Sequence, residues 1–106
     1  MSSRRIKQLA IRVREHPEDS FSKFALALEL KKTGDGQRAL ALFESIRSLD
    51  PGYTGVYYHL GKTYELLQNP EQALTAYRQG LDCTPDSEAR TRSELQDALD
   101  QLLEEL

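Results

Sequence analysis

From Tyr57 to Pro85 the chain reads YYHLGKTYELLQNPEQALTAYRQGLDCTP. Asn69-Pro70-Glu71-Gln72 divides this stretch and reads as a helix start, with an asparagine cap, proline at the first helical position and glutamine at the third. Working outward, Pro85 stands 34 residues after Pro51, and Pro51 stands 34 after Pro17. In that register Leu60 falls on Leu26, Gly61 on Ala27, Ala73 on Ala39 and Tyr77 on Phe43. A period of this length marks stacked helical pairs, none of which buries its apolar face alone. The expected fold is all-α.

Breakers and caps predict six helices, about Ser3–Glu15, Phe21–Thr33, Gln37–Leu49, Thr54–Leu67, Pro70–Asp82 and Ser87–Leu106. Pro17 ends the first, and Ser20 is expected to cap the second. The Gly34-Asp35-Gly36 turn closes the second, because glycine takes positive φ without a Cβ clash. The last helix carries Leu95, Leu99, Leu102, Leu103 and Leu106 as an apolar stripe. No strand pattern is present, and the connections are as short as antiparallel helix pairs require.

The 106 residues make one domain, with 29% charged residues and a formal net charge of −3. That balance argues against a nucleic-acid partner. The charge is unevenly spread. Residues 1–16 carry five basic groups (Arg4, Arg5, Lys7, Arg12, Arg14) against Glu15, a net of +4. Residues 82–106 carry eight acids against Arg90 and Arg92, a net of −6. The two ends are complementary, so weak head-to-tail self-association is one expectation. Arginines interrupt every apolar run near the N-terminus, so neither a signal peptide nor a membrane partner is expected. The single Cys83 requires no oxidising compartment. The expected location is cytoplasmic.

Tyr57, Leu60, Gly61, Tyr64, Ala73, Tyr77, Gly80 and Pro85 stand at the spacing of a known signature: the segment resembles the tetratricopeptide repeat (TPR) family at all eight positions. Gly61 and Ala73 are small where two helices must cross closely, and the three tyrosines fill the space between pairs. Residues 20–51 match less fully. Lys23 replaces the first aromatic, Leu30 replaces the tyrosine, and Ile46 stands where a small residue is usual. The resemblance implies a short right-handed α-solenoid: a half repeat over 1–17, repeats over 20–53 and 54–87, and a capping helix over 87–106. Arg90, Arg92, Glu94, Asp97, Asp100 and Glu104 would give the cap a polar outer face.

In this family the first helix of each pair lines a concave groove. The resemblance therefore implies that Phe21, Phe24, Ala25, Leu28 and Lys31 face it from repeat one. Tyr58, His59, Lys62 and Glu65 would follow from repeat two, and Arg92 and Gln96 from the cap. Aromatic rings beside cations suit a peptide with apolar and acidic side chains. The alternative for Phe21, Phe24 and Leu28 is core, covered by the basic first helix. Some relatives clamp a C-terminal carboxylate with lysine and asparagine; here the matching positions hold Phe21, Ala25, Gly55 and His59, so no such clamp is expected.

No catalytic, cofactor or metal site is expected. His16 and His59 are far apart, and His59 lacks a second ligand at helical spacing. Cys83 beside Asp82 reads as an inert, part-buried thiol. The glycines form no phosphate loop. The expected function is a protein–protein interaction adaptor or scaffold that binds a peptide or partner helix in its groove. The alternative is an assembly module that associates through its charged ends or convex face.

Overall fold

Caps set the helix ends in this chain, and the computed structural model describes residues 2–106. Six helices occupy them: α1 (Ser2–Glu15), α2 (Ser20–Lys32), α3 (Gly36–Leu49), α4 (Val56–Leu66), α5 (Pro70–Cys83) and α6 (Ala89–Glu105). The cap of α2 is Asp19 rather than Ser20. Its carboxylate accepts the Ser22 backbone N–H at 3.3 Å and the Ser22 hydroxyl at 2.7 Å. The Arg12 Nε–H also donates to it at 3.3 Å, so one side chain starts α2 and docks α1. Asp35 and Asn69 cap α3 and α5, accepting from the backbone N–H of Arg38 and Gln72. α4 begins two residues later than expected because the Val56 N–H bonds to the Tyr53 carbonyl in a turn. The Thr54 hydroxyl donates across to Glu88 at 2.6 Å.

The links α2–α3 and α4–α5 are built alike. In the first, the Asp35 N–H reaches the Leu30 carbonyl and the Gly34 N–H that of Lys31. In the second, Asn69 reaches Tyr64 and Gln68 reaches Glu65. This is the Schellman arrangement, which needs a left-handed residue just past the helix. Gly34 supplies it with φ of 93°, and Gln68 with φ of 62°. In each link the next residue is already the cap of the following helix, which turns the chain back at once.

Each helix packs on its sequence neighbours, and α6 also touches α4. The pairs expected from the 34-residue register are buried together: Leu26 and Leu60, Ala39 and Ala73, Phe43 and Tyr77. Gly61 and Gly80 lie at close crossings. A Cβ on Gly80 would stand 2.6 Å from the Tyr57 Cβ and 3.0 Å from Leu95 Cδ1. Lys23, in the place of the first aromatic, is buried and donates from Nζ to the Ser45 hydroxyl at 3.1 Å. Ile6, Leu9 and Val13 of α1 close the first end of the core.

At the last helix the structure corrects the sequence reading. Leu95, Ala98, Leu99 and Leu102 are buried, whereas Leu103 and Leu106 are exposed. Arg92 is turned inward, off the polar outer face. Cys83 is exposed rather than part-buried.

Candidate functional site

The first helices of the pairs, α2 and α4, share one side of the molecule with α6, which packs on α4, and a chain of aromatic rings forms a floor there. The Phe24 ring lies 5.4 Å from Tyr53, 5.8 Å from Phe43 and 5.3 Å from His59. The His59 ring stacks on Phe43 at 6.0 Å and takes the edge of Tyr58 at 5.4 Å. Burial, then the nearby Lys31 ammonium, pushes His59 down to about 4 against the opposing pull of Glu94. At neutral pH it is therefore an uncharged ring, a part of the floor and not a third cation.

Two lysines converge above that floor. The Lys62 ammonium sits 5.7 Å from the centre of the Tyr58 ring, within cation–π range. It also stands 4.0 Å from Glu65. Burial and then Lys62 hold Lys31 below its ordinary range, while Glu65 acts the other way. Lys31 and Lys62 thus feel one another's charge, and the carboxylate beside Lys62 is Glu65. That carboxylate is partly committed, since it also accepts the Tyr77 phenol.

The structure brings together Phe24, Lys31, Tyr58, His59, Lys62 and Glu65 of the expected set. Leu28 is half-buried against the core, and Phe24 serves both core and surface. Phe21 is 69% exposed and makes no ring contact among the described residues. Arg92 lies elsewhere. Its Nη1 donates to the carbonyls of Leu81 at 2.7 Å and Thr84 at 2.6 Å, closing the end of α5. With Gln96 it lines a different hollow, against Leu81 and Asp86. The cause is the rotation of α6: burying Leu95, Leu99 and Leu102 turns Arg92 towards α5 and presents Glu94, Asp97 and Gln101 to α4.

Those three α6 side chains line a hollow of about 140 Å³ with Tyr58 and Lys62. A larger hollow, about 450 Å³, lies beside Phe24 and is lined by Tyr53, Thr54 and Thr91. The sequence reading offered Arg92 and Gln96 from α6 in place of Glu94, Asp97 and Gln101 because it carried the repeat register across Pro85. The leucine stripe, displaced from that register, was the signal for the rotation. Among the described residues no group of three or more His, Cys, Asp or Glu side chains is placed to hold a metal. Among the described residues no helix is long and apolar enough to cross a membrane.

Stacked helical pairs with one ring-lined face define a helical-repeat protein. A tetratricopeptide repeat profile matches residues 30–95, and the chain belongs to the tetratricopeptide repeat family. The crystal structure of a tetratricopeptide repeat domain protein from Salinibacter ruber is 44% identical, with a TM-score of 0.74 over 79% of this chain and 94% of that one. A solution NMR structure of a tetratricopeptide repeat domain protein from the same organism is 45% identical, with a TM-score of 0.76 over 81% and 88%. A crystal structure of MamA shares the fold at 19% identity, with a TM-score of 0.72 over 93% of this chain and 65% of that one. No curated protein matches the chain. The tetratricopeptide fold generally mediates protein–protein interaction, and its members are generally not enzymes.

Proposed function

We propose that this protein is an adaptor whose concave face receives a peptide segment or helix of a partner protein. The observation that carries the reading is the Lys62 ammonium over the Tyr58 ring and beside Glu65, with Lys31 near enough to feel its charge, on the ring-lined face. A ligand carboxylate placed there gains two charge-assisted hydrogen bonds and relieves the mutual repulsion of the ammonium groups. The hollow beside Phe24 and Tyr53 suits an apolar side chain of the same segment. Glu94 and Asp97 on the α6 side disfavour a second acid there, which gives the bound segment a direction. A single cysteine, with no internal disulfide to maintain, suits a reducing cytoplasm.

Panning a random peptide library on the wild type, beside the Tyr58→Ala/Lys62→Glu double variant, tests this. Peptides enriched on the wild type carry an acid next to an apolar residue. They lose at least about tenfold in affinity, on the order of 1.4 kcal/mol, on the variant. Equal binding to both proteins, or no enrichment, overturns the groove reading.

A further inference from the structure

The two outermost helices carry opposite charge on the faces they turn away from the core. α1 packs the half-buried Ile6, Leu9 and Val13 against the core on its α2 side. Arg4, Lys7, Ile11 and Arg14 recur along its opposite side and are exposed. α6 buries Leu95, Leu99 and Leu102, leaving Asp97, Asp100 and Glu104 exposed along its outer side. The other α1 arginines are engaged with α2: Arg5 stands 3.9 Å from Glu29, and Arg12 pairs with Asp19. Among the described residues none of Arg4, Lys7, Arg14, Asp97, Asp100 and Glu104 makes an ion pair. Only Asp100 has a side-chain partner, accepting from the Gln96 amide at 2.9 Å. Three cations outside any ion pair therefore face outward at one end, and Asp100 and Glu104, with Asp97 at their edge, at the other.

Helix order adds geometry to the charge. α1 packs on α2 as α3 packs on α4 and α5 on α6, so α1 stands in the place of a second helix of a pair. α6 follows α5 as α4 follows α3, in the place of a first helix. We infer that a second copy of this chain docks its α1 on the outer face of α6, continuing the alternation of first and second helices from one molecule into the next. Within each pair the helices run antiparallel. In that sense Glu104 comes opposite Arg4 and Asp100 opposite Lys7, while Asp97 falls near Ile11 and within a turn of Arg14. At about 1.5 Å per residue the acidic stripe spans about 10 Å and the basic one about 15 Å, so the charges meet along most of the contact. Ile11 and Leu103, each 45% exposed, add apolar surface at the two ends. The contact joins two different surfaces, and because it continues the helical stacking of the repeat it gives an open series of copies rather than a ring. Only Asp97, which also borders the hollow beside Tyr58 and Lys62, is shared with the groove; Arg4, Lys7, Asp100 and Glu104 lie outside it.

Sedimentation velocity over a range of concentrations tests the contact. At about 10 mM salt, where charges act over roughly 30 Å, the wild-type mass climbs continuously with concentration; at about 0.5 M it returns to the monomer. The variants Arg4→Glu/Lys7→Glu and Asp100→Lys/Glu104→Lys change only exposed side chains outside any ion pair, at the loss of the one Gln96–Asp100 bond, and circular dichroism checks that both remain folded. Each alone stays monomeric, because like charges now face each other. An equimolar mixture associates again, since the reversed α1 of one variant meets the reversed α6 of the other. A wild type that remains monomeric at low salt, or stops at a dimer, overturns the proposal. So does a variant that associates alone as the wild type does, or a mixture that fails to associate.

Discussion

Tyr77 presses the edge of its ring against the bare Cα of Gly61. A Cβ at Gly61 would fall 2.6 Å from Tyr77 Cδ1 and closer still to Cε1. The ring has little freedom to retreat, because it is fully buried and its phenol donates to Glu65. In an ordinary helix interior, replacing glycine by alanine stabilises by up to about 1 kcal/mol. Here overpacking of roughly 1–3 kcal/mol opposes that gain and exceeds it. Gly61→Ala is therefore expected to lower stability in urea unfolding, and Gly61→Leu to lower it further. A Gly61→Ala variant more stable than the parent would mean that the α4–α5 crossing is looser than the geometry says.

The same crossing shows how much the sequence revealed. Gly61, Ala73 and Tyr77 are legible because close contact restricts residue size, and the 34-residue register repeats that restriction at Ala27, Ala39 and Phe43. Helix ends were legible to within two residues because prolines and caps act locally. Asp19 escaped notice: Ser20 is also a good cap, and only the approach of Arg12 from α1 favours the aspartate. That residues of α2 and α4 share one face followed from the family resemblance. The α6 contribution did not, because the orientation of that helix depends on which leucines reach the core, and Leu95, Leu99, Leu102, Leu103 and Leu106 permit more than one choice. The bond from Tyr77 to Glu65 left no local mark in the sequence.

Gln68 occupies in the second link the place that Gly34 occupies in the first. Its φ of 62° lies in the left-handed region, where a side chain bearing a Cβ costs roughly 1 kcal/mol. Gln68→Gly removes that cost but loosens the unfolded chain, which offsets part of the gain. The expected net effect is a stabilisation of roughly 0.5 kcal/mol, with Gln68→Val destabilising by more than that. Thermal melts of the three proteins give the order Gly, Gln, Val; the reverse order would show that the turn is not left-handed in solution.

Arg92 separates structural from binding roles. Its guanidinium meets the last carbonyls of α5, where a cation also complements the helix dipole. The side chain is 35% exposed, so Arg92→Leu is expected to cost about 1.5 kcal/mol, the low end for hydrogen bonds to a charged group. Affinity for any peptide selected on the concave face should be unchanged. A variant that keeps its stability but loses the peptide would return Arg92 to the groove.

His59 gives the fold a specific response to acid. Its imidazole titrates near 6.5 when free and is pushed down to about 4 in the folded protein, by burial first and by Lys31 second. Above 6.5 both states are neutral at this residue, so pH has no effect through it. Between 6.5 and about 4 the unfolded chain binds a proton that the folded one does not, and stability falls as pH falls. Below 4 both are protonated and the loss stops growing. Asp19 responds in a different range. Bonds from Ser22, chiefly, hold its carboxylate below 3.8, so its contribution is lost only as pH falls below that value. Melting temperatures between pH 7 and pH 4 should therefore decline for the wild type and decline less for His59→Gln, with the His59 ring-proton shifts moving only near pH 4. Parallel declines in the two proteins would place the acid sensitivity elsewhere, and a ring titrating near 6.5 would mean that the aromatic floor is open to water.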